Sequence, residues 1–138
     1  MAILSDSFII TTKGFDDVID ITQKVSNVVA NLNVQKALTN ITVLSSCASI
    51  ITIDDEPGIA FDVSKMLSMI APINKVYQHD NIWHEGNAYA HLRATILGNS
   101  LTIPVYDNKI VLDELQRIVL IDFDNKPRSR KIIVSVVY

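Results

Sequence analysis

The sequence predicts an α+β fold of mostly antiparallel, layered β-sheets with about three helices, in a single domain over residues 1–138. Three observations lead there. Apolar, β-branched runs cluster at both ends of the chain, with helix-periodic segments between them, which is the α+β pattern and not strict alternation. The late strands are joined by tight turns at Asp107-Asn108 and Asp124-Asn125-Lys126-Pro127, and tight turns join antiparallel neighbours. The runs at 117–123 and 131–137 are nearly all apolar, so both faces of those strands need cover, from helices, a second sheet or another subunit.

The elements follow in order. Phe8 to Thr12 is a strand that ends at the turn Lys13-Gly14. Val18 to Ile21 is a second short strand. Thr22 has the hydroxyl to cap a helix whose apolar face is Val25, Val28, Val29 and Leu32, ending near Asn33. Ile41 to Leu44 and Ile50 to Ile53 are strands, separated by the small residues Ser45 to Ser49. Asp54-Asp55-Glu56-Pro57-Gly58 carries helix-start chemistry, because Pro fits the first turn and carboxylates suit the positive helix end. Val63, Met66, Leu67 and Ile70 then form an amphipathic helix closed before Pro72. A polar loop follows, and a third helix over about 87–97 ends at Gly98 as a left-handed cap. Strands at 101–105, 109–112, 117–123 and 131–137 finish the chain.

Composition narrows the function classes. With 138 residues, 49% of them hydrophobic and 20% charged, the chain is a globular domain and not a disordered one. A net charge of -3 predicts no broad attraction to nucleic acid or to a membrane surface. The acidic knot Asp54 to Glu56 and the basic one from Lys126 to Lys131 read as solvated loops. Cys47 is the only cysteine, so no disulfide forms within the chain. The start lacks a signal-peptide pattern and no apolar run is long enough to span a bilayer, so an intracellular, cytoplasmic protein is expected.

The chemistry concentrates in residues 77–91. All three histidines, His79, His84 and His91, lie there with Glu85, Asn87 and the only tryptophan. Imidazoles and a carboxylate are the donors a divalent metal such as zinc takes; His79, His84, Glu85 and His91 supply them, with the three histidines as the expected ligands, although the spacing matches no specific zinc motif. The same groups suit general acid–base work, oriented by Glu85 or Asp80. Asn87 and His91 are four apart and share a helix face. Cys47 reads as a buried, inert thiol. Arg128 and Arg130, two apart, would share a strand face and could clamp an anion.

Several blocks together resemble one family. Tyr77-x-His79, Glu85-Gly86-Asn87, Ala90-His91-Leu92-Arg93-Ala94, Leu97 to Val105, and Gln116-x-Ile118-x-Leu120-x-Asp122-Phe123-Asp124 with Pro127-Arg128-x-Arg130 are similar to the YjbQ family. The resemblance implies a compact α+β homotrimer of layered sheets, with a weak thiamine-phosphate synthase activity attributed to some members. Such a reaction needs positive charge, and a divalent ion such as Mg²⁺, on a leaving pyrophosphate. The resemblance places His79 and His91 at the lining of the site, Glu85 and Asn87 beside them, and Arg128 and Arg130 as a basic pair for a small phosphate-containing ligand. The chain departs from the family pattern in three places. A family histidine before the fourth strand is replaced within Ser46-Cys47-Ala48, an Asn-Glu becomes Asp54-Asp55, and a Leu-Gly-Thr-Trp-Gln becomes Leu112-Asp113-Glu114-Leu115-Gln116. His84 could stand in for the missing imidazole, or the protein could be a non-catalytic trimeric binding or scaffold relative.

Overall fold

The computed structural model describes residues 1–138. Eight strands and four helices follow in chain order. They are β1 (Ile3–Thr12), β2 (Asp17–Asp20), α1 (Thr22–Leu32), β3 (Lys36–Val43), β4 (Ala48–Asp54), α2 (Pro57–Ile70), α3 (Gln78–Trp83), α4 (Ala88–Leu97), β5 (Ser100–Tyr106), β6 (Lys109–Ile110), β7 (Gln116–Asp122) and β8 (Arg128–Val137). The expected α+β class holds. The strands form a five-stranded sheet, β1-β8-β3-β5-β6, and a three-stranded sheet, β2-β7-β4, antiparallel at every pairing.

The central strand of the small sheet explains the layering. Successive residues of β7 point to opposite faces, and both faces are buried. Ile118 and Leu120 join Ile10, Ile41, Ile132, Val134 and Val136 in a core between the two sheets, closed at one side by Val25 and Val29 of α1. Val119 and Ile121 join Leu67 of α2 and Tyr89, Ala90 and Ala94 of α4 in a second core on the other face. The result is sheet, sheet, helices, as the nearly continuous apolar run at 117–123 requires. The matching run on β8 behaves differently: Ile132, Val134 and Val136 are fully buried, while Ile133, Ser135 and Val137 are only half covered.

Several local expectations need correction. There are four helices, because the polar stretch read as a loop contains α3, which is short and has no buried residue to give it an apolar stripe. Thr22 is the first helical residue and not the cap; its hydroxyl instead accepts from Ile118 N at 2.8 Å, tying α1 to β7. Strand β3 begins five residues before Ile41, since its polar outer-face residues hide the strand pattern. β6 spans two residues and not four. Gly98 has a positive φ of 83° but an extended ψ of 163°, because the chain turns directly into β5 there. By contrast, Asn33 is the left-handed end of α1, and Asp107 and Asn108 both have positive φ, as a two-residue hairpin of the favoured twist requires. Glu56 caps α2 by accepting from Ile59 N at 3.0 Å, with Pro57 in the first turn.

Three of the links that carry the chain between the sheets are short and helix-free: 13–16 from β1 to β2, 44–47 from β3 to β4, and 123–127 from β7 to β8. All three meet at one end of the sandwich. Phe15 N donates to Asp124 O at 2.8 Å, and Phe123 N donates to Cys47 O at 3.0 Å. Gly14 makes this possible, since it has φ +77° and a Cβ there would lie 2.6 Å from Asp124 O. Arg93 of α4, 1% exposed, anchors the same end: it pairs with Asp16 at 2.8 Å and donates to Ala71 O at 3.1 Å. No helix is long and apolar enough to cross a membrane.

Candidate functional site

The site lies where these crossings meet the starts of α3 and α4. Asp80 fixes the geometry between the two helices. One of its carboxylate oxygens accepts from Tyr77 N at 3.1 Å, at the start of α3, and the other from Ala88 N at 3.2 Å, at the start of α4. This clamp brings His79 to His91, with ring centroids 4.5 Å apart and planes tilted by 59°. Between the helices the chain takes positive φ at His84 and Gly86, which turns Glu85 back. The donor atoms of His79, Glu85 and His91 all lie within 4.8 Å of one another. Nε2 of His79 is buried and has no partner in the protein.

Of the four candidate donors His79, His84, Glu85 and His91, three converge. His84, at the left-handed end of α3 and exposed, does not join the cluster; Glu85, next in sequence, does. A reversal of chain direction at a single residue decides which of two neighbours faces inward, and sequence spacing does not carry that information.

Asn87 sits behind the cluster, 2% exposed. It donates to Asp124 Oδ1 at 3.2 Å and, more loosely, to Cys47 Sγ at 3.8 Å, while its own Oδ1 has no partner. Cys47 Sγ lies 3.6 and 3.5 Å from the two ring nitrogens of His91. Burial, reinforced by the charge of Asp124, pushes its thiol up from 9.0 to about 11. As expected, it is not a nucleophile poised at neutral pH.

Arg128 and Arg130 share a face of β8, but both are held by buried carboxylates. Arg130 Nε donates to Asp122 at 2.7 Å, and its Nη2 reaches Asp122 at 3.0 Å and Asp124 at 3.1 Å. Arg128 Nε donates to Asp124 at 2.8 Å. Asp122 also accepts from the Thr12 hydroxyl at 2.6 Å. Burial alone would raise the pKa of Asp124; the hydrogen bonds from Asn87, Asn125 N and Arg128 outweigh it and hold the carboxyl below its ordinary 3.8. Burial would lower the pKa of Arg130, and its two aspartate partners outweigh that and raise it. Arg128, the more exposed of the two, uses only Nε, so its terminal nitrogens are free to meet an anion. Asp122 and Asp124 were not picked out from the sequence as site residues. The signal is their alternation with Phe123, one tight turn before the Arg pair.

A family model described as "UPF0047 protein YjbQ-like" matches residues 6–138. The chain belongs to the YjbQ-like UPF0047 family. A UPF0047 protein of Archaeoglobus fulgidus is 34% identical over 119 residues, covering 86% of this chain and 90% of that one. Another, from Methanocaldococcus jannaschii, is 30% identical over 130 residues, with 93% and 90% covered. Among solved structures, a YbjQ-like protein of unknown function from Sulfolobus solfataricus superposes with a TM-score of 0.91 at 27% identity, over 98% of this chain and 96% of that one. An uncharacterised UPF0047 protein of Clostridium acetobutylicum gives 0.87 at 28% identity, over 96% and 99%. Within this UPF0047 fold, the cluster of His79, Glu85 and His91 is built at the junction of the two sheets and the helical layer.

Proposed function

We propose that this UPF0047 protein binds a divalent cation at His79, Glu85 and His91 and presents it to a small phosphate-containing ligand. The observation that carries the reading is the convergence of two imidazoles and a carboxylate within 4.8 Å, with one imidazole nitrogen buried and unpartnered. Three protein donors of this type leave coordination positions open, as catalytic and ligand-binding centres do and closed structural sites do not. The donors fit zinc better than magnesium, which prefers oxygen ligands and several waters.

In this reading His79 and His91 bind as neutral imidazoles, oriented by the Asp80 clamp. Glu85 offsets part of the charge. The free nitrogens of Arg128 give the phosphate a second point of attachment, while Asp122 and Asp124 hold Arg130 behind it. The cation would supply electrostatic stabilisation of charge gathering on a leaving phosphate oxygen. A thiamine-phosphate synthase-type transfer is the narrower form of this proposal and rests on family resemblance. A homotrimer, which would cover the half-exposed outer face of β8, belongs to the same proposal.

A second reading, a non-catalytic trimeric binding or scaffold protein, is supported by the neutralised Arg pair and by the altered segments at 46–48 and 112–116. Calorimetric titration of the wild type and of His79→Ala with zinc, followed by thermal shifts with pyrophosphate, separates them. Zinc binding lost in His79→Ala, with a pyrophosphate shift that requires zinc, supports the first reading. Absence of both in the wild type sinks it.

A further inference from the structure

We propose that the phosphate-containing ligand of the cation site is a phosphorylated sugar or polyol, and that the cleft between α4 and the 44–47 link binds its hydroxyl groups. The inference names the ligand class of the site proposed above and rests on the cation-and-phosphate part of that reading.

Position comes first. His91, Ala94, Thr95 and Gly98 are spaced i, i+3, i+4 and i+7, so they lie along one face of α4 and its end. The last three line a cleft of about 490 Å³, with Ser45, Ser46 and Asn99 on its other side. The cleft therefore begins about one helical turn, roughly 5.4 Å, beyond His91. The opposite wall reaches the same imidazole, because Cys47, the residue after Ser46, places Sγ 3.5 Å from His91 Nε2. Gly98 keeps the far end open. Its φ of 83° and ψ of 163° fall in a region that glycine alone holds readily, and a Cβ there would meet no atom within 4 Å.

The chemistry of the walls then selects the ligand. No charged side chain and no aromatic ring lines the cleft. It offers neither a counter-charge for a second anionic group nor a platform for a stacked base. What it offers is a mixture of donors and acceptors. Ser45 Oγ accepts from Cys47 N at 2.9 Å, which leaves its O–H to donate. Thr95 Oγ1 donates to His91 O at 2.7 Å, which leaves its lone pairs to accept. Asn99 uses Nδ2 on Val43 O at 3.5 Å, which leaves its carbonyl oxygen. Ser46 is exposed, with a hydroxyl able to act in either sense. Ligand hydroxyls, each both donor and acceptor, match such walls; an amine, a carboxylate or an aromatic ring does not. The division of labour is complete: cation and Arg128 take the charged phosphate, and the neutral cleft takes the hydroxylated remainder.

Calorimetry on the zinc-loaded full chain tests this with three probes: inorganic phosphate, ribose 5-phosphate and thiamine phosphate. Ribose 5-phosphate should bind ~10-fold or more tightly than inorganic phosphate, the gain expected from one or two well-made hydrogen bonds. Thr95→Val combined with Ser46→Ala should lose most of that gain. Equal affinities for ribose 5-phosphate and phosphate in the wild type overturn the inference and leave the cation site standing. Thiamine phosphate binding more tightly than ribose 5-phosphate overturns it in favour of a heteroaromatic ligand. A gain undiminished in the double variant overturns the role of the cleft. Failure of the wild type to bind zinc overturns the cation reading and this inference together. The wild-type comparison decides the ligand class should the variant fail to fold.

Discussion

The imidazoles of His79 and His91, twelve residues apart and on different helices, lie with their centroids 4.5 Å apart. What holds them there is Asp80, whose two carboxylate oxygens take one backbone N–H from the start of each helix. Replacing Asp80 by Ala should free α3 from α4, because both N–H groups lose their acceptor. A helix-start contact of this kind is worth about 1 kcal/mol each. The expected result is a modest loss of stability in urea and a large loss of zinc affinity by calorimetry.

Removing either imidazole should separate function from fold. His79→Ala takes away a donor whose Nε2 has no partner in the protein, so the structure gives up no hydrogen bond there. Zinc binding should fall below detection, while stability changes by about 1 kcal/mol or less. Metal analysis after dialysis, beside a denaturation curve, reads both.

The Arg pair should behave unequally. Arg130 is the partner of Asp122, which is 0% exposed, and removing one member of a buried pair strands the other charge. Arg130→Ala should cost about 3–5 kcal/mol. Arg128 is more exposed and leaves Asp124 with Asn87 and Arg130, so Arg128→Ala should cost about 1 kcal/mol or less. Chemical denaturation distinguishes them, and Arg128→Ala should still reduce any pyrophosphate shift.

Acid stability should depend on Asp124. Its folded pKa lies below the ordinary 3.8, so its contribution is fully present at pH above that value and is lost as the pH falls through the folded pKa. Cys47 works in the opposite direction. Its pKa is raised from 9.0 to about 11, so its contribution is present below pH 9.0 and is lost as the pH rises toward about 11. Stability measured against pH should lose its steepest acid slope in Asp124→Asn and part of its alkaline slope in Cys47→Ala.

Gly14 should tolerate no side chain. Its φ is +77°, and a Cβ would meet the carbonyl oxygens of Asp124 and Lys126 at 2.6 and 2.7 Å. Neither neighbour is a side-chain tip that can swing away. Gly14→Ala should cost more than about 1 kcal/mol and displace the link that carries Asp124. Weaker zinc binding in the same variant would tie this turn to the site.

The sequence by itself determined the fold class, most elements and the need to cover both faces of β7. Period-two and period-3.6 apolar patterns say which face of each strand or helix is buried, and the run Ile118 to Ile121 in β7 says that both faces are. It also located the chemistry, because His79, Glu85, Asn87 and His91 are concentrated within thirteen residues. Only the tertiary structure decided which of them converge. Whether His84 or Glu85 faces His91 depends on a backbone reversal at a left-handed residue. That Cys47, Asp122 and Asp124 stand behind the histidines depends on three sheet crossings meeting at one end. Such contacts join residues separated by tens of positions, and local patterns of polarity carry no trace of them.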